Sequence, residues 1–184
     1  LEEAVRTLEA RFSLADAPKR VLLIGMGMGD ADSRTLAAER ALREADCLIG
    51  SRRMLEAVDG AGKIVREAIA AEDLVRIIRE ESARRFAVLL SGDPGFYSGA
   101  KRLLGALKGT TVEVLPGIGS LQYFCAKLRI PWENVYCLSL HGRDGDIAGA
   151  VRTHEATFAL LGGNGGARRA LECLCAAGMG RLRA

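Results

Sequence analysis

Histidine is nearly missing from this 184-residue chain, which has His141 and His154 and no third. Neither stands at a metal-ligand spacing from other Cys, His or acidic residues, so no zinc or iron centre is expected. Cysteine occurs five times, at 47, 125, 137, 173 and 175, an odd number with no C-x-x-C pair. That pattern argues against a disulfide framework. Cys47, Cys125 and Cys137 sit in apolar runs and read as small core residues. Long hydrophobic runs are absent too, and no stretch has the length of a membrane span. No basic segment followed by an apolar one opens the sequence, and the expected setting is reducing and cytoplasmic. An excess of either charge is also lacking: 26 basic against 23 acidic residues leave +3. Nucleic acid and anionic membrane are therefore not expected as partners. Finally, there is no G-x-x-x-x-G-K-[ST] loop and no G-x-S-x-G elbow. P-loop nucleotide hydrolysis and Ser-His-Asp hydrolysis lose their usual signatures.

What is present is an ordinary globular composition, 49% hydrophobic and 27% charged, with strong local patterning. Val21-Leu22-Leu23-Ile24 and Phe86-Ala87-Val88-Leu89-Leu90 are short, fully apolar runs, the mark of strands buried in a parallel sheet. Asp46 to Gly50, Lys63 to Val65 and Thr111 to Leu115 read as further strands. Helices are expected over Ser33 to Ala45, with Asp32 or Ser33 as the cap, over Ala71 to Arg84, and over Tyr97 to Leu107. The order β-α-β-β-α-β-α-β over residues 20–115 predicts a mostly parallel three-layer α/β domain. Residues 1–19 read as an amphipathic helix and linker. Pro116-Gly117 breaks the pattern, and residues 116–184 form the expected second α/β domain. It holds a helix near 119–128, a strand at Val135 to Leu140, another at Thr157 to Leu161, and a helix at Ala167 to Ala177. Two strands bury little apolar area by themselves.

Glycine is the informative residue. Four glycine-bearing turns follow strands, at 25–29, 92–99, 117–119 and 162–166, and loops at strand carboxyl ends are where open α/β sheets bind ligands. Gly25-x-Gly27-x-Gly29-Asp30 differs from the dinucleotide fingerprint G-x-G-x-x-G, and Asp30 would set a carboxylate against a pyrophosphate. An NAD- or NADP-binding oxidoreductase stays open on these residues, as does a non-catalytic binding module. His141-Gly142-Arg143 ends a strand, and Asp93 before Pro94 is either a base or a cap for backbone amides.

The ordered set Gly25-x-Gly27-x-Gly29-Asp30, Gly92-Asp93-Pro94 with Ser98, and Pro116-Gly117-Ile118-x-Ser120 resembles the tetrapyrrole methylases. The resemblance covers residues from about 20 to 180. It implies the family's two-domain fold: a mostly parallel N-terminal sheet, a smaller mixed C-terminal α/β domain, and S-adenosyl-L-methionine in the cleft between. Within the family, Ser139-Leu140-His141-Gly142-Arg143 and Ile130-Pro131-Trp132-Glu133 resemble the branch that methylates C5 of a corrin precursor in cobalamin biosynthesis. The resemblance implies that Met28, Ser91, Gly92, Asp93, Phe96, Gly119, Ser120 and Leu161 meet the cofactor. It places His141 and Arg143 at the substrate side as the catalytic candidates. Met28 stands where the family more often has proline, and Gly119 where it has Ser or Thr. The family's last strands are not expected before the sequence ends at Ala184.

The implied acceptor is a carboxylate-bearing corrinoid, so Arg143, Arg102, Lys101, Arg52 and Arg53 are candidates for its periphery. No metal is implied. A homodimer is, and a separate enzyme methylating C15 with decarboxylation. Two other methylases of this fold compete, one acting on a modified histidine of a translation factor (diphthine synthase) and one on ribosomal RNA.

Overall fold

The structure is a computed structural model that describes residues 18–181. The helix expected in residues 1–19 thus lies, apart from Pro18 and Lys19, outside the described residues. The chain divides into two compact units, with the break between Ser120 and Leu121.

In the first unit five parallel strands form one sheet: β1 (Arg20–Gly25), β2 (Cys47–Gly50), β3 (Ile64–Glu67), β4 (Arg85–Leu90) and β5 (Thr111–Leu115). Their spatial order is β3-β2-β4-β1-β5. The register sets Val21 beside Phe86 and Ile24 beside Leu89. The two central strands carry the apolar runs because both of their faces are covered. Side chains alternate across the pleat. Val21, Leu23, Phe86 and Val88 point to one face, where they pack with Leu74, Val75 and Ile78 of α3 (Ala71–Glu80) and Leu103 of α4 (Ala100–Ala106). Ile24, Ala87 and Leu89 point to the other, against Ala38, Ala41 and Leu42 of α1 (Leu36–Glu44) and Met54 and Leu55 of α2 (Arg52–Leu55). Lys19 joins the layers at the amino edge. Its ammonium donates to the carbonyls of Ile78, Arg79 and Glu81 at 2.7–2.8 Å, closing the carboxyl end of α3.

The strand order fixes where a ligand can bind. From β1 the chain crosses over β4 toward β2, and from β4 it crosses back over β1 to β5. Adjacent strands thus send their connections in opposite directions, which opens a crevice at their carboxyl ends.

The cap of α1 is neither Asp32 nor Ser33. Thr35 caps it, its hydroxyl accepting the Ala38 amide at 3.1 Å, and the helix begins at Leu36. Ser33 is withdrawn into the preceding loop by other bonds, described below.

The second unit holds α5, which begins at the break (Ser120–Leu128), β6 (Tyr136–Ser139), α6 (Ile147–Thr153), β7 (Thr157–Leu160) and α7 (Gly166–Ala176). β6 and β7 pair in parallel, Cys137 beside Phe158 and Ser139 beside Leu160. The connection between them is the helix α6, which the sequence pattern did not announce. Asp146 caps it by accepting the Gly149 amide at 2.8 Å.

Candidate functional site

Three loops leave the carboxyl ends of β1, β4 and β5 and close on one another through backbone. Gly27 and Gly92 form an antiparallel bridge: the Gly92 amide donates to the Gly27 carbonyl at 2.9 Å, and the Gly27 amide returns to Gly92 at 3.2 Å. No side chain fits between these loops. A Cβ on Gly25 would stand 2.5 Å from the Gly117 nitrogen and 2.8 Å from the Gly92 oxygen. One on Gly117 would meet the Gly92 oxygen and stand 2.7 Å from the Gly25 carbonyl carbon. Gly92 also has φ +68°, a conformation that glycine alone takes at no steric cost. These glycines are spacing devices that let three main chains meet.

Side chains then lock the loops. Asp93 spans two of them. One carboxylate oxygen accepts the Gly95 amide at 2.7 Å, and the other accepts the Gly117 amide at 3.1 Å. The cap role open to an Asp before proline is the one observed here. Ser98 donates to the Pro94 carbonyl and accepts the Ala100 amide at 3.1 Å, folding the loop onto the start of α4. In the first loop, Ser33 is buried. Its hydroxyl accepts the Met28 amide at 2.9 Å and donates to the Asp30 carbonyl at 3.2 Å. Its own amide donates to Asp30 Oδ1 at 2.7 Å. Hydrogen bonding from Ser33 holds the Asp30 carboxyl below the usual carboxylate range. The first loop therefore carries a fixed negative charge, which disfavours a pyrophosphate there.

Of the residues singled out in the sequence, the first unit gathers Met28, Ser91, Gly92, Asp93, Phe96, Gly119 and Ser120 on or next to these loops. Met28, Phe96 and Ser120 are half-buried, Gly119 is buried and Ser91 is exposed. Tyr97 was not singled out. It sits beside Phe96, ring centroids 4.9 Å apart and edge to face, with φ +48°. A non-glycine residue held there costs about 1–3 kcal/mol, and such residues gather at ligand sites.

His141, Arg143 and Leu161 belong to the second unit, and the structure brings all three to one hollow of about 750 Å³. It opens at the carboxyl ends of β6 and β7. His141 packs against the β7 exit at Gly162. A Cβ on Gly162 would meet the imidazole Nδ1 and stand 2.9 Å from the His141 Cα. Arg169 of α7 also lines the hollow. Its guanidinium donates to the carbonyl oxygens of Asn164 at 3.3 Å and Gly162 at 3.5 Å, tying down the glycine turn. The sequence offered no sign of Arg169, one arginine of 21. His154 lies elsewhere, stacked on Tyr136 at 3.9 Å with Nδ1 3.0 Å from the Ala150 carbonyl, and so is tied to the end of α6. Among the described residues no group of three or more His, Cys, Asp and Glu is placed to hold a metal ion. No described helix is long and apolar enough to cross a membrane.

Known proteins resemble the chain in sequence and in fold. The family described as Tetrapyrrole (Corrin/Porphyrin) Methylases matches residues 20–182. A relative from Methanocaldococcus jannaschii, named as a probable cobalt-precorrin-7 C(5)-methyltransferase, is 34% identical over 149 residues. That match covers 76% of this chain and 70% of the relative. The cobalt-precorrin-7 C(5)-methyltransferase of Salmonella typhimurium is 35% identical over 124 residues, covering 66% of this chain. Only 61% of that relative's length is spanned. Among solved structures, the methyltransferase CobJ superposes with a TM-score of 0.67 at 23% identity, over 88% of this chain and 77% of that one. At that identity the likeness speaks for the fold.

Proposed function

The chain belongs to the tetrapyrrole methylases, and from that premise we propose that it transfers a methyl group from S-adenosyl-L-methionine to C5 of a corrin precursor, precorrin-7 or its cobalt form, in cobalamin biosynthesis. The observation that carries the reading is the closure of the Gly25, Gly92 and Gly117 loops at the sheet's switch point. It makes a backbone platform with the mixed chemistry that an adenosyl amino acid needs. Met28 and Phe96 offer apolar surface, Ser91 and Ser120 offer hydroxyls, and Asp93 fixes the loop that carries Ser91. The residues present therefore fit the donor. The C5 position rests on the relatives' names and on the Ser139–Arg143 stretch.

The donor supplies a methyl group on a positively charged sulfur. Bound at these loops, the donor would supply that methyl to a ring carbon, its carbon–sulfur bond would be the one broken, and it would leave as S-adenosylhomocysteine. The protein's work is alignment and exclusion of water. Met28, Ser91, Gly92, Asp93, Phe96, Gly119, Ser120 and Leu161 are assigned to the donor. Arg143 is assigned to an acceptor carboxylate, and its fork of N–H groups suits that task. His141 is assigned as the base that takes the proton released at the methylated carbon. Methylation at C15 with decarboxylation is assigned to a separate domain or enzyme. A homodimer in a cytoplasmic setting is the expected state, and a one-chain mass at high concentration would overturn it.

Calorimetric titration with S-adenosylhomocysteine, NAD and NADP tests the reading. Binding of S-adenosylhomocysteine alone supports it. Binding of NAD or NADP instead would replace it with the oxidoreductase reading.

A further inference from the structure

The arginines that follow β1 and β2 are separated by their partners. On the carboxyl edge of the first sheet stand Arg34, Arg52 and Arg53. Arg34 is nearly buried and closes on Glu39, with a further bond to the Ala57 carbonyl at 2.9 Å. Arg52 is paired with Glu56 one helical turn on, at 3.0 Å. Arg53 turns the other way. Its Nη2 donates to the Ser91 hydroxyl at 3.3 Å, and Nη1 hangs over Gly29, where a Cβ would stand 3.4 Å away. That hydroxyl is its hydrogen-bond partner among the described residues. The α2 backbone right after β2 aims the side chain across the mouth of the β1 and β4 loops. An exposed guanidinium held over two ligand loops by a neutral hydroxyl keeps most of its five donors for an incoming anion.

We propose that Arg53 is a binding residue of this site, gripping a carboxylate of the bound ligand in a forked contact while Ser91 holds its guanidinium in place. The proposal rests on the methylase reading. Two sources offer the same chemistry: a side-chain carboxylate of the tetrapyrrole acceptor, and the amino-acid carboxylate of the donor. The acceptor is favoured, because Arg53 is exposed on the outer rim of the loops.

The test uses the full chain, its Arg53→Ala and Arg53→Lys variants, and Arg76→Ala, an exposed arginine paired with Asp73 on α3, as the control. Two probes are titrated: uroporphyrin, a carboxylate-rimmed tetrapyrrole, by fluorescence, and S-adenosylhomocysteine by calorimetry. Thermal melts check that each variant folds. Loss of a charged, forked contact should weaken uroporphyrin binding by about tenfold or more in Arg53→Ala. Arg53→Lys should fall between, because lysine keeps the charge and loses the fork. Arg76→Ala should match the parent chain, and the neutral methyl ester of uroporphyrin should bind all variants alike. A loss of S-adenosylhomocysteine affinity instead, with uroporphyrin unchanged, assigns Arg53 to the donor's carboxylate. Equal binding of both probes by parent and Arg53→Ala overturns the proposal while leaving the methylase reading intact. A parent chain that binds neither probe overturns that reading and the proposal with it.

Discussion

The Asp93 carboxylate accepts the Gly117 amide at 3.1 Å while its other oxygen holds Gly95 at 2.7 Å. One side chain thereby couples the loop after β4 to the loop after β5. Asp93, assigned above to the donor, also shapes the site by positioning these loops. Asp93→Ala should release both amides and weaken S-adenosylhomocysteine by about tenfold or more in calorimetry, on the scale of lost charge-assisted hydrogen bonds. Asp93→Asn keeps an acceptor and should recover part of the loss. Gly117→Ala should do at least as much damage, because its Cβ has backbone on both sides. Unchanged affinity in Asp93→Ala would remove the loop brace from the account.

His141 and Gly162 form the matching pair in the second unit. The ring lies where a Gly162 side chain would stand. If His141 takes the proton, His141→Ala should lower kcat on the order of 10²-fold, with a smaller change in KM. Gly162→Ala should reproduce much of that loss by pushing the imidazole off its seat, since the His141 backbone also blocks the new methyl. Turnover of His141→Ala equal to the parent enzyme would take His141 out of the chemistry, and the Gly162 effect should then vanish too.

Much of this arrangement was legible in the residues, for identifiable reasons. Val21–Ile24 and Phe86–Leu90 could be read as central strands because burial on both faces forces unbroken apolar runs. The ligand loops announced themselves through glycine, since three main chains cannot meet where a Cβ stands. What stayed hidden depends on direction. Ser33 outranks Thr35 as a cap on paper, and only the folded loop shows that the Ser33 hydroxyl is spent on Met28 and Asp30. The helix Ile147–Thr153 was obscured by Gly149, a poor helix former, although Asp146 caps it through that residue's amide. Arg52 and Arg53 are adjacent and identical in type. Their separate fates, Glu56 and Ser91, come from side-chain paths that no one-dimensional pattern contains.

Cysteine reactivity should divide along burial. Cys47 is fully buried in β2, and loss of solvation pushes its thiol up to about 11. Because the thiolate is the reactive form, Cys47 should resist Ellman's reagent in the native protein at pH 8. Cys125 is also buried, whereas Cys173 and Cys175 are exposed on α7. A fast phase of two thiols is therefore expected; half-buried Cys137, whose thiol is also pushed up by loss of solvation, should follow more slowly, and the buried pair should appear only with denaturant. Rapid labelling of Cys47 in the native state, read by peptide mass mapping, would contradict the packing of β2 between its neighbours.

Acid should weaken the first unit through Asp46. Its carboxylate accepts from the Arg85 guanidinium at 2.7 Å and from the Arg85 backbone amide at 2.9 Å. The Arg85 side chain beside it holds the Asp46 carboxyl below the usual carboxylate range. A folded pKa below the unfolded value of about 3.9 means that folding favours the ionised form. The stabilisation is therefore complete above that pH and is lost as the pH falls from there toward the lower folded pKa. Both side chains are substantially exposed, 36% for Asp46 and 52% for Arg85, so water screens the pair and its contribution is about 1 kcal/mol or less. Asp46→Asn should lower Tm at pH 7, and the parent and variant curves should draw together as the pH falls below the usual carboxylate range. Curves that stay parallel throughout the acid range in which the protein still folds would show that the pair does not titrate with folding.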